Sequence, residues 1–379
     1  MSTPTKNIVR LPAEILHARE LDALKANDSG RRPAGWNLSP LAVRQFIAGS
    51  DGKALQHQWD GKPVSTIVRR KFYGNDALLD RCIVTLLGNR GLLLVGEPGT
   101  AKSMLSELLT AAISGISTTV IQGTAGTTED QIKYSWNYAL LLAEGPSPRA
   151  LVPSPLYTGM KKGQVVRFEE ITRCQPEIQD ALVSVLSDKI LPIAELAGED
   201  GVVFAEKGFN ILATANLRDR GVNEMSSALK RRFNFETVNP ISDRALELQL
   251  VIEQTEMLLR EADVKVECGR EVMELLVTTF HDLRIGRTSE GTVVEKPSTV
   301  MSTAEAVAVG LSAGLDAAYF GQGKLESAHI ARQLSGTVLK DNPDDAKKLI
   351  HYFDVVVKNR ARKSKYWQAY WDARTWLEP

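Results

Sequence analysis

The chain has 379 residues, 43% of them hydrophobic and 24% charged, with 46 basic side chains balancing 46 acidic ones. That length points to more than one domain and an ample core. Formal neutrality excludes bulk electrostatic attraction to nucleic acid, although a local basic patch stays open.

The N-terminus, MSTPTKNIVRLP, lacks the apolar stretch of a signal peptide. No apolar run approaches the roughly 18 residues that a membrane helix needs. Cys82, Cys174 and Cys268 lie far apart and form no C-x-x-C pair, so neither a disulfide framework nor a zinc site is expected. A cytoplasmic protein without membrane insertion is the expectation.

Residues 11–26 read as a short amphipathic helix, and NDSGRRPAGWNLSP (27–40) as a linker rich in turn formers. Ser39-Pro40 starts a second helix, closed by Gly49. From about 70 to 240, strands alternate with helices. GLLLVG (91–96) is a continuous apolar run, as in a strand buried on both faces. Lys102 to Ser114 reads as a helix, STTVIQG (117–123) as a strand, and GQVVRFEE (163–170) as a strand ending in acid. PEIQDALVSVLSD (176–188) follows helical spacing with proline at its first position. Residues 190–206 read as a hairpin, 208–216 as a buried strand and 233–238 as the last strand. Beyond Pro240 the pattern is helical, apart from a loop at 286–299. The fold class is therefore α/β, a parallel sheet flanked by helices, followed by a helical domain.

LLLVGEPGTAKSM (92–104) comes close to the phosphate-loop pattern G-x-x-x-x-G-K-[ST]. Gly96, Lys102 and Ser103 fit, while Ala101 stands where the second glycine belongs. The loop comprises Gly96, Glu97, Pro98, Gly99, Thr100, Ala101, Lys102, Ser103 and Met104. Its backbone N–H groups from Glu97 to Ser103, at a strand end and a helix N-terminus, suit phosphate oxygens. The motif places Lys102 on the β- and γ-phosphates and Ser103 on Mg²⁺. Gly96 and Gly99 supply unusual backbone angles. Ala101 is tolerable there provided that its φ is negative.

Hydrolysis also needs a metal-bound phosphate and an oriented water. Glu169 and Glu170 end a strand, where successive side chains point opposite ways. One can face the metal and the other the water. Glu169 is a methylene longer than the aspartate more usual at such a site.

GEPGTAKS, then FEEITR followed by QPEIQDALVSVLSD, then ILATAN, then ALKRRF, resembles the MoxR branch of the AAA+ ATPases. That branch uses Ala-Lys-Ser or Ala-Lys-Thr in its phosphate loop. The stretch IQGTAGTTEDQIKYSWNYALL is similar to the YehL-like subgroup. The likeness covers roughly 70–240 well, 241–379 weakly and 1–60 not at all. It implies an AAA+ P-loop sheet with a C-terminal α-helical lid, organised as an N-terminal arm and linker (1–60), a nucleotide-binding domain (61–240) and the lid (241–379). It implies ATP and Mg²⁺, with Glu170 activating water, Glu169 and Ser103 on the metal side, and Asn216 as the polar sensor.

In this superfamily arginine fingers reach the neighbouring subunit's site. Arg232, beside Phe233, matches best and Arg231 is the alternative. Arg173 matches the family's acid-acid-Ile-x-Arg string. The lid's second-sensor arginine has no match in PSTVMSTAEAV, and Arg284 or Arg287 are its possible substitutes. Tyr73 and Gly74 resemble the segment beside the adenine, although Tyr73 fits plain core equally.

The resemblance further implies a homo-oligomeric ring, six-membered in the family. Its usual activity is chaperone-like remodelling of a partner protein carrying a von Willebrand factor A domain. Residues 144–163, with Tyr157, Met160, Lys161 and Lys162, fall where the family has an insert that projects toward the pore or a partner. Two alternatives remain. One is a nucleic-acid motor, suggested by the basic-aromatic KNRARKSKYWQAYW near the end, which equally suits a helix docking on the lid. The other is a nucleotide-binding scaffold with little hydrolysis, suggested by Glu169 and the missing lid arginine.

Overall fold

A computed structural model describes residues 8–216, 221–338 and 342–377. The chain forms two compact units, Met1–Gly96 with Ala101–Val238, and Glu97–Thr100 with Asn239–Pro379.

The first unit opens with helices α1 (Ala13–Leu16) and α2 (Ala18–Asn27), one helical stretch by periodicity that breaks at His17. α3 (Pro40–Ala48) starts as its Ser-Pro signal dictates, with the Ser39 side chain accepting from Ala42 N. The segment read as a linker is packed. Trp36 and Leu38 are buried, and the Asp28 carboxylate accepts from Ser39 N at 2.7 Å and Ser39 Oγ at 2.6 Å.

β1 (Ala54–Trp59) and β2 (Lys62–Ile67) form an antiparallel hairpin. Its two-residue turn, Asp60-Gly61, has φ of 50° and 72°, the paired left-handed conformation that matches strand twist. The helix α4 (Asp76–Leu87) follows, capped by Asn75.

β3 (Gly91–Val95), every residue of it buried, leads into α5 (Lys102–Ser114). The remaining strands are β4 (Val120–Gln122), β5 (Tyr134–Trp136), β6 (Leu151–Pro153), β7 (Val165–Glu169), β8 (Ile190–Pro192), β9 (Val202–Phe204), β10 (Asn210–Ala215) and β11 (Phe233–Thr237). Five form one parallel sheet in the order β11-β3-β10-β7-β4. β5–β6 and β8–β9 are separate antiparallel hairpins. This order sets the carboxyl end of β10 between those of β3 and β7, where parallel sheets take ligands.

The arm shares a core with this sheet. Leu24, Val43, Phe46 and Ile47 lie in the same buried cluster as Leu92, Leu94, Leu105 and Leu109. Glu107 on α5 accepts from Arg10 at 2.6 Å and from Ala13 N at 3.2 Å.

Residues 144–163 contain a short strand, Leu151–Pro153, and a helix. Ser154 caps a helix, Pro155–Lys162, with proline in its first turn. Leu156 and Met160, four apart, face inward, and Met160 is 0% exposed. Met160 is thus a core residue, whereas Lys161 and Lys162 are exposed.

The second unit is helical, built chiefly from Arg244–Glu261, Arg270–Ile285, Thr303–Tyr319, Ser327–Val338 and Pro343–Tyr352. A π-helical turn, Phe353–Val357, leads to the final helices. Phe280, Tyr352, Phe353 and Tyr370 form its aromatic core. The basic-aromatic tail is used here. Tyr370 packs against Phe353 with centroids 4.6 Å apart and ring planes tilted by 47°, Arg360 lies over Trp367 at 4.8 Å, and Arg374 lies over Trp371 at 4.1 Å. Among the described residues no helix is long and apolar enough to cross a membrane.

Candidate active site

The loop between β3 and α5 closes on itself. Thr100 Oγ1 donates to Glu97 O at 2.9 Å, and Lys102 Nζ donates to Gly96 O at 3.1 Å. Gly99 has φ of 74°, which needs glycine. Ala101 has φ of 65° and ψ of 23°, the left-handed conformation. The negative φ on which its tolerance was argued is therefore not found, and alanine here carries about 1–2 kcal/mol of steric strain. Met104 is partly exposed on the first turn of α5. Tyr73 and Gly74 precede α4, with the Arg70 guanidinium 5.9 Å from the Tyr73 ring centre.

β7 splits its two terminal carboxylates by a backbone turn. Glu169 ends the strand in extended form, and Glu170 has φ of 56°, a conformation that costs a non-glycine residue about 1–3 kcal/mol. The pair consequently enters two separate hydrogen-bond systems.

Glu169 is 5% exposed. Its Oε2 accepts from Ser103 Oγ and Thr214 Oγ1, both at 2.7 Å. Its Oε1 accepts from Ser106 Oγ at 2.6 Å and from Arg167 Nη2 at 2.8 Å and Nε at 3.1 Å. Burial pushes this carboxyl up, but Ser106, Thr214, the Arg167 charge and Ser103 together outweigh burial and hold it below the usual carboxylate range.

Glu170 accepts from Asn216 Nδ2 at 2.9 Å on Oε1 and from Arg173 Nε at 2.9 Å on Oε2. Its backbone N–H donates to Thr214 Oγ1 at 3.0 Å. Thr214 therefore ties the two glutamates together. Asn216 is buried, and its Oδ1 has no hydrogen-bond partner among the described residues.

The donor set fits a nucleotide with its metal. Ser103 and Glu169 are hard oxygen donors in contact, the type Mg²⁺ prefers. Among the described residues no group of three or more His, Cys, Asp or Glu forms a closed metal cage. A cation here would thus rely on phosphate and water for most of its ligands, as Mg²⁺ commonly does.

The two arginines ahead of β11 differ. Arg232 is held within the chain, donating from Nε to Ser187 Oγ and from Nη1 to Ala228 O, both at 2.6 Å. Arg231 is exposed and has no side-chain partner among the described residues. In the helical unit Arg284 grips the buried Glu247 at 2.9 and 2.6 Å and donates to Met301 O at 3.0 Å. Arg284 is thus already paired within the helical unit. Arg287 is exposed beside its backbone bridge to Val293.

Sequence reasoning missed Ser106, Thr214 and Arg167. Each had a readable signal. Ser106 stands one helical turn after Ser103, and Thr214 and Arg167 lie two residues before Asn216 and Glu169 on the same strand faces. The hairpin 190–206 has its own anchor: Glu195 accepts from Tyr134 OH at 2.8 Å and Trp136 Nε1 at 3.3 Å.

A parallel sheet in this order, with a phosphate loop after β3, paired acids after β7 and a polar side chain after β10, defines a nucleotide-binding protein of the AAA+ class. Residues 91–233 match the AAA domain of the dynein-related subfamily, and residues 245–378 match the YehL-like AAA+ ATPase C-terminal domain. The Escherichia coli K12 protein YehL is 48% identical over 374 residues, 99% of each chain. A Staphylococcus haemolyticus protein is 26% identical over 213 residues, covering 56% of this chain and 74% of its own. Among solved structures, NtrX from Brucella abortus in complex with ADP is similar with a TM-score of 0.49 and 12% identity, over 81% of this chain and 65% of NtrX. The chain belongs to the YehL-like family of AAA+ ATPases.

Proposed function

We propose that this chain hydrolyses ATP at the end of β3, β7 and β10 and uses the cycle to remodel a partner protein, in the manner of the MoxR branch. One observation carries the reading. Adjacent glutamates are parted by a left-handed turn, Glu169 toward the loop serine and Glu170 toward Asn216.

Bound ATP would supply the phosphoryl group, and Mg²⁺ the neutralisation of its charge. The loop N–H groups and Lys102 hold phosphate, and Ser103 with Glu169 forms the metal side. Glu170 takes the proton of the attacking water. Asn216 orients that water, with its open Oδ1 as acceptor. By the resemblance, Tyr73 and Gly74 would lie beside the base. Arg231 rather than Arg232 is the guanidinium offered to a neighbouring subunit, because Arg232 is already held in its own chain. The resemblance supplies the rest of this reading: a homo-oligomeric ring, six-membered by family habit, working in the cytoplasm. In this reading the arm, whose core is shared with the sheet, belongs with the nucleotide domain, and the helical unit is the lid.

A partner with a von Willebrand factor A domain is inherited from the resemblance. A protein partner is favoured over nucleic acid because the tail aromatics that suggested base stacking are engaged in the helical unit.

The test is nucleotide binding and turnover by the purified protein. Wild type binds ATP and releases phosphate, and Lys102→Ala loses binding. Undiminished affinity in Lys102→Ala would overturn the loop assignment.

A further inference from the structure

Arg167 lies inside a buried strand, two residues before Glu169 and on the same face. Its side chain is 11% exposed and that of Glu169 is 6% exposed. All three guanidinium nitrogens are used. Nε donates to Ser106 Oγ at 3.0 Å and to Glu169 Oε1, Nη1 to Ser117 O at 3.0 Å, and Nη2 to Ser103 O at 3.3 Å and to Glu169 Oε1. A desolvated ion pair is a poor route to stability, since apolar side chains serve as well. Its position, against the serine and the acid of the metal side, is therefore the informative fact.

The two oxygens of Glu169 are unequal. Oε1 is filled by three donors from Arg167 and Ser106. Among the described residues, Oε2 meets only the hydroxyls of Ser103 and Thr214, which can rotate away. A direct metal ligand needs an oxygen free of fixed N–H donors, and Oε1 is not one. A fixed positive charge close to a divalent cation also repels it.

We propose that Arg167 is a positioning residue and a resident counter-cation for Glu169. It locks Oε1 into the protein, leaves Oε2 with Ser103 as the face turned to the nucleotide's metal, and weakens the site's hold on a divalent cation. Nucleotide then binds with little dependence on Mg²⁺. This rests on the assignment of Ser103 and Glu169 to the metal side.

The experiment is isothermal titration of the full-length protein with ADP, in EDTA and in excess MgCl2. It uses wild type, Arg167→Gln, Arg167→Lys, Ser106→Ala and Lys102→Ala, each checked by circular dichroism and gel filtration. For wild type, Mg²⁺ changes the ADP affinity by less than about threefold. In Arg167→Gln the uncompensated carboxylate raises that ratio to about tenfold or more, as expected for deleting a unit charge beside a divalent ion. Arg167→Lys, which keeps the charge, stays near wild type. A buried arginine with a purely structural role would lower stability and leave the ratio unmoved.

A wild-type ratio of tenfold or more, or equal ratios in wild type and Arg167→Gln, overturns the proposal. If Arg167→Gln does not fold, the wild-type ratio and Ser106→Ala decide. The latter frees part of Oε1 and should raise the ratio, and an unchanged ratio counts against. No ADP binding by wild type, or wild-type affinity in Lys102→Ala, overturns the site assignment itself and the proposal with it. That outcome is distinct from sound binding with a strong Mg²⁺ dependence.

Discussion

Thr214→Val removes one hydroxyl and little volume. Thr214 is 2% exposed. Its hydroxyl donates to the ionised Glu169 at 2.7 Å and accepts from the Glu170 amide at 3.0 Å. A hydrogen bond to a charged group is worth about 1.5–3 kcal/mol, and a stranded buried amide costs about 1–3 kcal/mol. Valine fills the space but satisfies neither partner, so the expected loss is roughly 3 kcal/mol. Urea titration with hydrogen exchange of the β7 and β10 peptides reads the sheet unit apart from the helical one. The midpoint should fall with the slope unchanged. ATP turnover should fall as well, because the left-handed turn at Glu170 loses its anchor. A loss under about 0.5 kcal/mol, with turnover intact, would refute the idea that Thr214 couples the glutamates.

Further outcomes follow from other residues. Ala101→Gly relieves about 1–2 kcal/mol of left-handed strain and costs about 0.5–1 kcal/mol of chain entropy, so the melting temperature should rise slightly. A clear fall would show that the loop is not strained there. Burial first, then the Lys71 charge, hold His17 at about 4 against the usual 6.5, with Glu20 opposing. The unfolded chain therefore takes up the proton first. Stability is complete above pH 6.5 and declines as pH falls toward 4. His17→Gln should flatten that decline in urea midpoints compared at pH 7 and pH 5, and an unchanged slope would contradict the assignment. Mixing inactive Arg231→Ala subunits with Glu170→Gln subunits should restore part of the turnover, since one intact interface re-forms. Equal rescue by Arg232→Ala would remove the preference for Arg231.

The sheet was legible because its chemistry is local. β3 is a continuous apolar run and β10 is buried throughout, and the loop, acid and sensor residues sit at fixed distances from strand ends. The hairpin β1–β2 was not seen, since ALQHQW and KPVSTI have little apolar alternation. The Asp60-Gly61 turn between them was its one clear signal. Met160 was misplaced because Ser154-Pro155 was not read as a helix start, although Ser39-Pro40 was. Ala101 shows a different limit, because a residue name does not carry its φ. The choice between Arg231 and Arg232 depends on Ser187, 45 residues away in sequence. Likewise, the Arg167–Glu169–Ser106 cluster joins a strand to a helix that periodicity describes only one face at a time.

Glu170 is the centre of the proposed chemistry, its carboxylate held by Asn216 and Arg173. The most direct test is phosphate release from ATP by Glu170→Gln, measured with nucleotide affinity on the same preparation. Affinity should stay within a few-fold of wild type and turnover should fall by at least about a hundredfold, the usual scale for losing a general base. Phosphate release equal to wild type would contradict that role.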